Sequence, residues 1–252
     1  MAQIISVHSF RRSTGKSTIT VNLAALLAAS GQRVGLVDAD ILSPSLHWLL
    51  GLGKADIGYC LNDYLLDRHN IIDAAHDVTD RLTPNTQGSL FLIPASEDAL
   101  QIARVLHERY NTELLNEGCQ RLISELKLDA LLIDTHAGLD EDSLASIAMS
   151  DKLIIMLRPD KQDYQGTAVT VDVARRLEVP DLSIIVNMVP LNFDLAEVAT
   201  EAQHTYNCTV SAVLPVSEEI MAQSGATLFV QDHPHHPITT LLNHVATWLA
   251  PN

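Results

Sequence analysis

Cysteine is scarce in this 252-residue chain: only Cys60, Cys119 and Cys208 occur. Their number is odd, they lie far apart, and no Cys-x-x-Cys pair exists. This argues against a disulfide framework and against a cysteine-held metal or iron–sulfur site, and points to a reducing compartment. Positive charge is also short. Sixteen Lys and Arg face 31 Asp and Glu, a net charge of −15. Such a chain has no general attraction for nucleic acid or anionic lipid, and only a local basic patch would supply one. No apolar run approaches the ~20 residues that cross a bilayer as a helix. The start, MAQIISVHSF, lacks the basic residues, long apolar stretch and small-residue cleavage site of a secretory signal. The expectation is a cytoplasmic protein.

Apolar residues are plentiful, at 47% of the chain, and can fill a sizeable core. The length fits one α/β domain over residues 1–252. Short, nearly continuous apolar runs at 4–8, 34–38, 90–93, 130–134, 153–157, 183–187 and 210–214 read as strands buried on both faces. Helical patterns lie between them at 16–30, 99–107, 113–126, 143–149, 167–177, 195–206 and 238–249. This alternation predicts a doubly wound, mainly parallel sheet flanked by helices, with ligands beyond the carboxyl ends of the strands. The stretch 52–89 is less periodic and reads as irregular, with a short helix near Leu61 capped by Asn62 or Asp63.

The most informative stretch is SFRRSTGKST, residues 9–18, between the first strand and the first helix. A phosphate-binding loop needs that context. The amides of Arg12, Ser13, Thr14 and Gly15 and the helix N-terminus suit phosphate anions. Lys16 is placed to reach the outer phosphates, Ser17 to ligate Mg²⁺, and Thr18 to lie by the inner phosphates. The usual pattern has glycine six residues before the lysine, where this chain has Phe10.

Two acidic motifs follow. One strand ends Leu36-Val37-Asp38-Ala39-Asp40, which sets carboxylates at the ligand edge of the sheet. Another reads Leu131-Leu132-Ile133-Asp134-Thr135-His136-Ala137-Gly138, an apolar strand ending in an acid. Its Asp134 suits a water-bridged Mg²⁺, and Gly138 a backbone turn beside the terminal phosphate.

Together these motifs resemble the deviant Walker A loop and switches of the ParA/MinD family of positioning ATPases. That loop reads Lys-Gly-Gly-x-Gly-Lys-Thr/Ser-Thr, and its last four residues match Gly15-Lys16-Ser17-Thr18. Its signature lysine, which reaches across an ATP-sandwich dimer, falls on Arg11, and its two glycines fall on Arg12 and Ser13. The resemblance implies ATP and Mg²⁺ as cofactors, with Asp40 near the metal-bound and attacking water and Asp38 behind it. It implies slow hydrolysis, an ATP-dependent homodimer and an activating adaptor protein. His136 reads as a switch-loop side chain rather than a base. The missing lysine leaves Arg11 or Lys152 as candidate cations, or neither. Lys152 is of interest because the carboxysome-positioning McdA branch is thought to supply its lysine from that later region.

In the same family, Asn187, ending a strand, and Pro215, in the next loop, flank the base. Candidate cations for non-specific DNA binding at the nucleoid are Arg158, Lys161, Arg175 and Arg176. The amphipathic end, 238–249, carries no Lys or Arg, so it is expected to pack on the body rather than bind membrane. The run Asp232-His233-Pro234-His235-His236-Pro237 reads as a Pro-rich turn rather than a metal site. A membrane-associated regulator and a P-loop ligase or synthetase are the competing functions.

Overall fold

The computed structural model describes residues 2–66, 68–84, 86–108, 112–223 and 227–250. Among these described residues eight strands form one sheet: β1 (Gln3–Ser9), β2 (Arg33–Asp38), β3 (His76–Asp77), β4 (Ser89–Ile93), β5 (Ala130–Asp134), β6 (Lys152–Leu157), β7 (Asp181–Val189) and β8 (Thr209–Pro215). Their order is β3-β4-β2-β5-β1-β6-β7-β8. Every pairing is parallel except that of the two-residue edge strand β3 with β4. The seven expected strands are all present, within two residues at each end. β3 is too short to leave a periodic trace in the sequence.

The helices are α1 (Lys16–Ala29), α2 (Leu46–Leu49), α3 (Leu61–Leu65), α4 (Ala99–Glu108), α5 (Thr112–Leu126), α6 (Glu141–Ala148), α7 (Lys161–Arg176), α8 (Leu195–Tyr206), α9 (Glu218–Ala222), α10 (Phe229–Asp232) and α11 (Pro237–Leu249). They cover both faces of the sheet. Alternate residues of a strand point to opposite faces. Leu132 therefore packs with α1 and α11, while Leu131 and Ile133 pack with α3 and α5. On that second face, β6 and β7 carry a further cluster against α6, α7 and α8.

Helix α1 is apolar around most of its circumference because it is enclosed on two sides. Its residues pack on the sheet and against Ile238, Leu242, Val245 and Leu249 of α11. A helix enclosed this way needs no polar stripe. As expected, α11 lies on the body of the protein. No helix among the described residues is long and apolar enough to cross a membrane.

Two local readings are corrected. The N-cap of α3 is Cys60, and Asp63 serves from inside the helix by accepting the Cys60 N–H at 3.1 Å. Asn62 accepts the Ser96 N–H instead, at 2.8 Å. Helix α7 begins six residues earlier than its apolar pattern suggests, because the carboxylate of Asp160 caps it by accepting from Gln162 and Asp163. The stretch 52–89 contains short helical turns as well as loop; its residues 67 and 85 lie outside the described residues.

Candidate nucleotide site

The order of the central strands brings the carboxyl ends of β2, β5 and β1 side by side. Val7 pairs with Asp134, and Asp134 pairs in turn with Asp38. Adjacency in the sheet, not in sequence, thus puts the loop at 10–15 beside both acidic motifs. The turn of that loop uses two left-handed residues, Ser13 (φ 62°) and Gly15 (φ 84°). A side chain at such a position costs about 1–2 kcal/mol, which glycine avoids. A Cβ on Gly15 would lie 2.4 Å from the Asn187 amide nitrogen, so a side chain there would displace Asn187 as well as strain the backbone. Gly15 is also the N-cap of α1, and no side chain caps that helix. Its first-turn N–H donors face the site instead.

Side chains close the other half. Lys16 Nζ lies 2.6 Å from Asp134 Oδ1, both groups buried. Ser17 donates to Asp134 Oδ2 at 2.5 Å. Asp134 therefore gathers the two residues expected to meet phosphate and metal. A phosphate arriving here competes with Asp134 for Lys16. Asp38 is fully buried and accepts N–H bonds from Asp40, Ser45 and Leu46 at 3.3, 2.9 and 3.1 Å. Burial, reinforced by the charge of Asp134, pushes its pKa up to about 7. Asp38 thus shapes the loop 39–46. Asp40 lines the cleft. Burial raises its pKa too, opposed by the charges of Lys16, His136 and Arg12. Its Oδ1 is buried with no hydrogen-bond partner.

The cleft holds about 380 Å³ and is lined by Ser9, the loop from Arg12 to Thr18, Asp40, Ser43, Ser45 and Ala137. On its β5 side, the Gly138 N–H donates to the Ser9 carbonyl at 3.0 Å. His136 sits 3.0 Å from Asp140, the N-cap of α6, and that position fits a switch-loop role. Below, His8 is buried with Nδ1 2.8 Å from Thr135 Oγ1, and burial drives its pKa down to about 3.

The leading half of the loop is held differently. In place of the usual glycine, the ring of Phe10 lies against Gly166 of α7, where a Cβ would be 1.9 Å from a ring carbon. Arg11 extends to the same helix, 3.2 Å from Asp160 and 3.4 Å from Asp163. Arg158 shares both carboxylates, at 3.3 and 3.4 Å. Arg11 is thereby engaged within its own chain. Sequence reading missed this clamp. An available sign was Pro159-Asp160, since an acid after a proline suits a helix cap and Asp160 caps α7.

Lys152 begins β6, so it lies at the amino edge of the sheet, across from the loop of its own chain; in β1 it pairs with Ile5. Its Nζ donates to the Trp248 carbonyl at 2.5 Å and lies 5.1 Å from the Trp248 ring centroid. Burial lowers its pKa. Lys152 thus ties α11 to the sheet and is not brought to the cleft of its own chain.

Asn187 and Pro215 both sit at the carboxyl edge, on β7 and β8. The Asn187 amide donates to the Thr14 carbonyl at 2.8 Å, so it braces the loop. Of the proposed DNA-binding cations, Arg158 is paired as above and Arg176 pairs with Asp172 at 2.9 Å. Arg175 donates to the Tyr206 and Asn207 carbonyls. In the histidine-rich turn, His236 caps α11 by accepting the Ile238 N–H at 3.1 Å. Among the described residues no group of His, Cys, Asp and Glu is arranged to hold a metal by itself.

The donor set nevertheless fits a metal–phosphate group. A lysine, a hydroxyl, unshared helix amides and the orphan oxygens of Asp40 and Thr14 meet in one cleft. Oxygen ligands of this kind suit Mg²⁺ that is carried in on phosphates.

A family model described as ParA, NUBPL iron-transfer P-loop NTPase, matches residues 1–250. An uncharacterized ATP-binding protein of Methanocaldococcus jannaschii is 27% identical over 251 residues, 99% of this chain and 88% of that one. The septum site-determining protein MinD of Synechocystis sp. is 32% identical over 199 residues, 76% of this chain and 68% of its own. The solved structure of septum site-determining protein MinD from Pyrococcus horikoshii, complexed with Mg-ADP, has a TM-score of 0.82 at 23% identity, covering 99% of this chain and 96% of that one.

Proposed function

The chain belongs to the ParA/MinD family of P-loop NTPases, and from that premise we propose that it works as an ATP-gated, magnesium-dependent ATPase switch. The observation that carries this reading is the wiring of the two loops that wall the cleft. Asp134 holds Lys16 and Ser17, while its strand neighbour Asp38 holds the amides of Ser45 and Leu46. A phosphate that draws Lys16 away from Asp134 changes the field at Asp38, and with it the loop that carries the exposed Leu42. A chemical event in the cleft is thereby passed to the surface.

In this reading Lys16 and the amides of α1 hold the phosphates, and Asn187 and Pro215 flank the base. Ser17, Asp134 and Asp40 hold magnesium, which when bound neutralises charge on the outer phosphate oxygens. Asp40 orients water through its free oxygen. Little covalent work falls to the protein, which suits slow turnover accelerated by an adaptor protein. The ATP form pairs with a second copy, and the switch positions intracellular cargo. The iron-transfer chemistry in the family description has weaker support, because the three cysteines are buried apart, Cys60 at the N-cap of α3, Cys119 in α5 and Cys208 just before β8.

Size-exclusion chromatography and phosphate release test this reading, with Mg-ATP, Mg-ADP, plasmid DNA and anionic vesicles as separate arms. A dimer with Mg-ATP alone is expected, with slow turnover that Asp40→Ala lowers tenfold or more while ATP still binds. A monomer under every condition, releasing no phosphate, contradicts the switch. Co-elution with DNA or with vesicles identifies the matrix.

A further inference from the structure

The clamp on α7 has a consequence for the residue that follows it. Phe10 and Arg11 are fixed on Gly166, Asp160 and Asp163, and Ser13 turns the chain through a left-handed conformation. Arg12 lies between these restraints, so its backbone is held on both sides. Its exposed side chain lines the same cleft as Lys16, Ser17 and Asp40. Among the described residues it has no ion pair and no hydrogen-bond partner, while its charge acts on Asp40. The other cations nearby are committed: Lys16 to Asp134, Arg11 and Arg158 to the acids of α7. Lys152 lies at the opposite edge of the sheet.

We propose that Arg12 reads the terminal phosphate of ATP in cis, as a triphosphate sensor within one chain. This rests on the nucleotide reading above and deepens it. A guanidinium presents paired N–H donors that match two phosphate oxygens, which a lysine cannot do in one plane. ATP carries one more phosphoryl group than ADP, and Arg12 is the uncommitted cation at the mouth of the cleft. The family pattern places glycine at position 12, so the device belongs to this chain. It supplies from within the loop a charge that the pattern otherwise draws from a partner copy.

The test is calorimetric titration of Mg²⁺ with a non-hydrolysable ATP analogue and, separately, with ADP. Wild type, Arg12→Ala and Arg12→Lys are compared, and unfolding without nucleotide confirms equal folding. Arg12→Ala is expected to weaken the triphosphate about tenfold or more, the scale of one charge-assisted bond, and ADP by less than about twofold. Arg12→Lys falls between. Adding excess Lys16→Ala chains, which retain Arg12, leaves the Arg12→Ala defect unchanged. Equal losses for both nucleotides, no loss at all, or rescue by the added chains overturns the proposal. Failure of the wild type to bind either nucleotide overturns the nucleotide reading itself, a distinguishable result.

Discussion

The two halves of the phosphate loop are built on different principles. The trailing half, Gly15 to Thr18, follows ligand chemistry: a glycine with a left-handed backbone, a lysine, a hydroxyl, and the open end of a helix. The start of the leading half, Phe10 and Arg11, follows tertiary packing: an aromatic ring on Gly166 and an arginine between two acids of α7. The first half is constrained by what it binds, and the second by the helix beside it. Packing on α7 accommodates the departures at Phe10 and Arg11, while Arg12 and Ser13 stay exposed.

The strongest way to break this comparison is Gly166→Ala. The added methyl meets Phe10, and overpacking of this kind costs about 1–3 kcal/mol. A matching fall in the urea midpoint is expected, with recovery in the Phe10→Ala, Gly166→Ala double variant. Additive losses in the double variant would show that the ring does not depend on the glycine. A smaller effect, about 1–2 kcal/mol, follows from Lys152→Ala, which removes the tie between β6 and α11. Affinity for Mg-ATP stays within about twofold, because this lysine is at the far edge of the sheet. A large loss of affinity at wild-type stability would return Lys152 to the site.

The ionisable groups beneath the loop add a dependence on pH. His8 keeps a folded pKa near 3 against an unfolded value of about 6.5. Between those values the unfolded chain binds a proton that the folded chain does not. Its contribution is complete above about pH 6.5 and is lost, at up to ~1.4 kcal/mol per unit, as pH falls. Asp38 runs the other way. Its folded pKa of about 7 exceeds the unfolded value, so the folded chain holds the extra proton and stability drops as pH rises from about 4 to 7. His8→Asn should therefore leave a stability that declines with rising pH over that window, in denaturant titrations at several pH values. Asp38→Asn should leave one that rises.

The fold was largely legible from the sequence because buried parallel strands read as short apolar runs, and seven of the eight did. The exception, His76–Asp77, is two residues long and is specified by its neighbour β4. That Gly15, Lys16, Ser17, Asp38, Asp40 and Asp134 would lie together was legible because the loop and both acidic motifs follow adjacent strands of a parallel sheet. The fates of Arg11 and Lys152 were not. Each depends on a contact far along the chain: Arg11 on α7, and Lys152 on the last turn of α11. A cation shows its charge in the sequence but not its partner. The start of α7 shows the same limit, because its first turn is set by the Asp160 cap and not by an apolar stripe.

The central claim is that a magnesium–triphosphate group seats on the first turn of α1. Thermal unfolding of the wild type and Lys16→Ala, each titrated with Mg-ATP, tests it most directly. At about one hundred times Kd, the wild type should gain roughly 2.7 kcal/mol, and Lys16→Ala should gain almost nothing at the same concentrations. Equal gains in both proteins would place the nucleotide elsewhere and contradict the account.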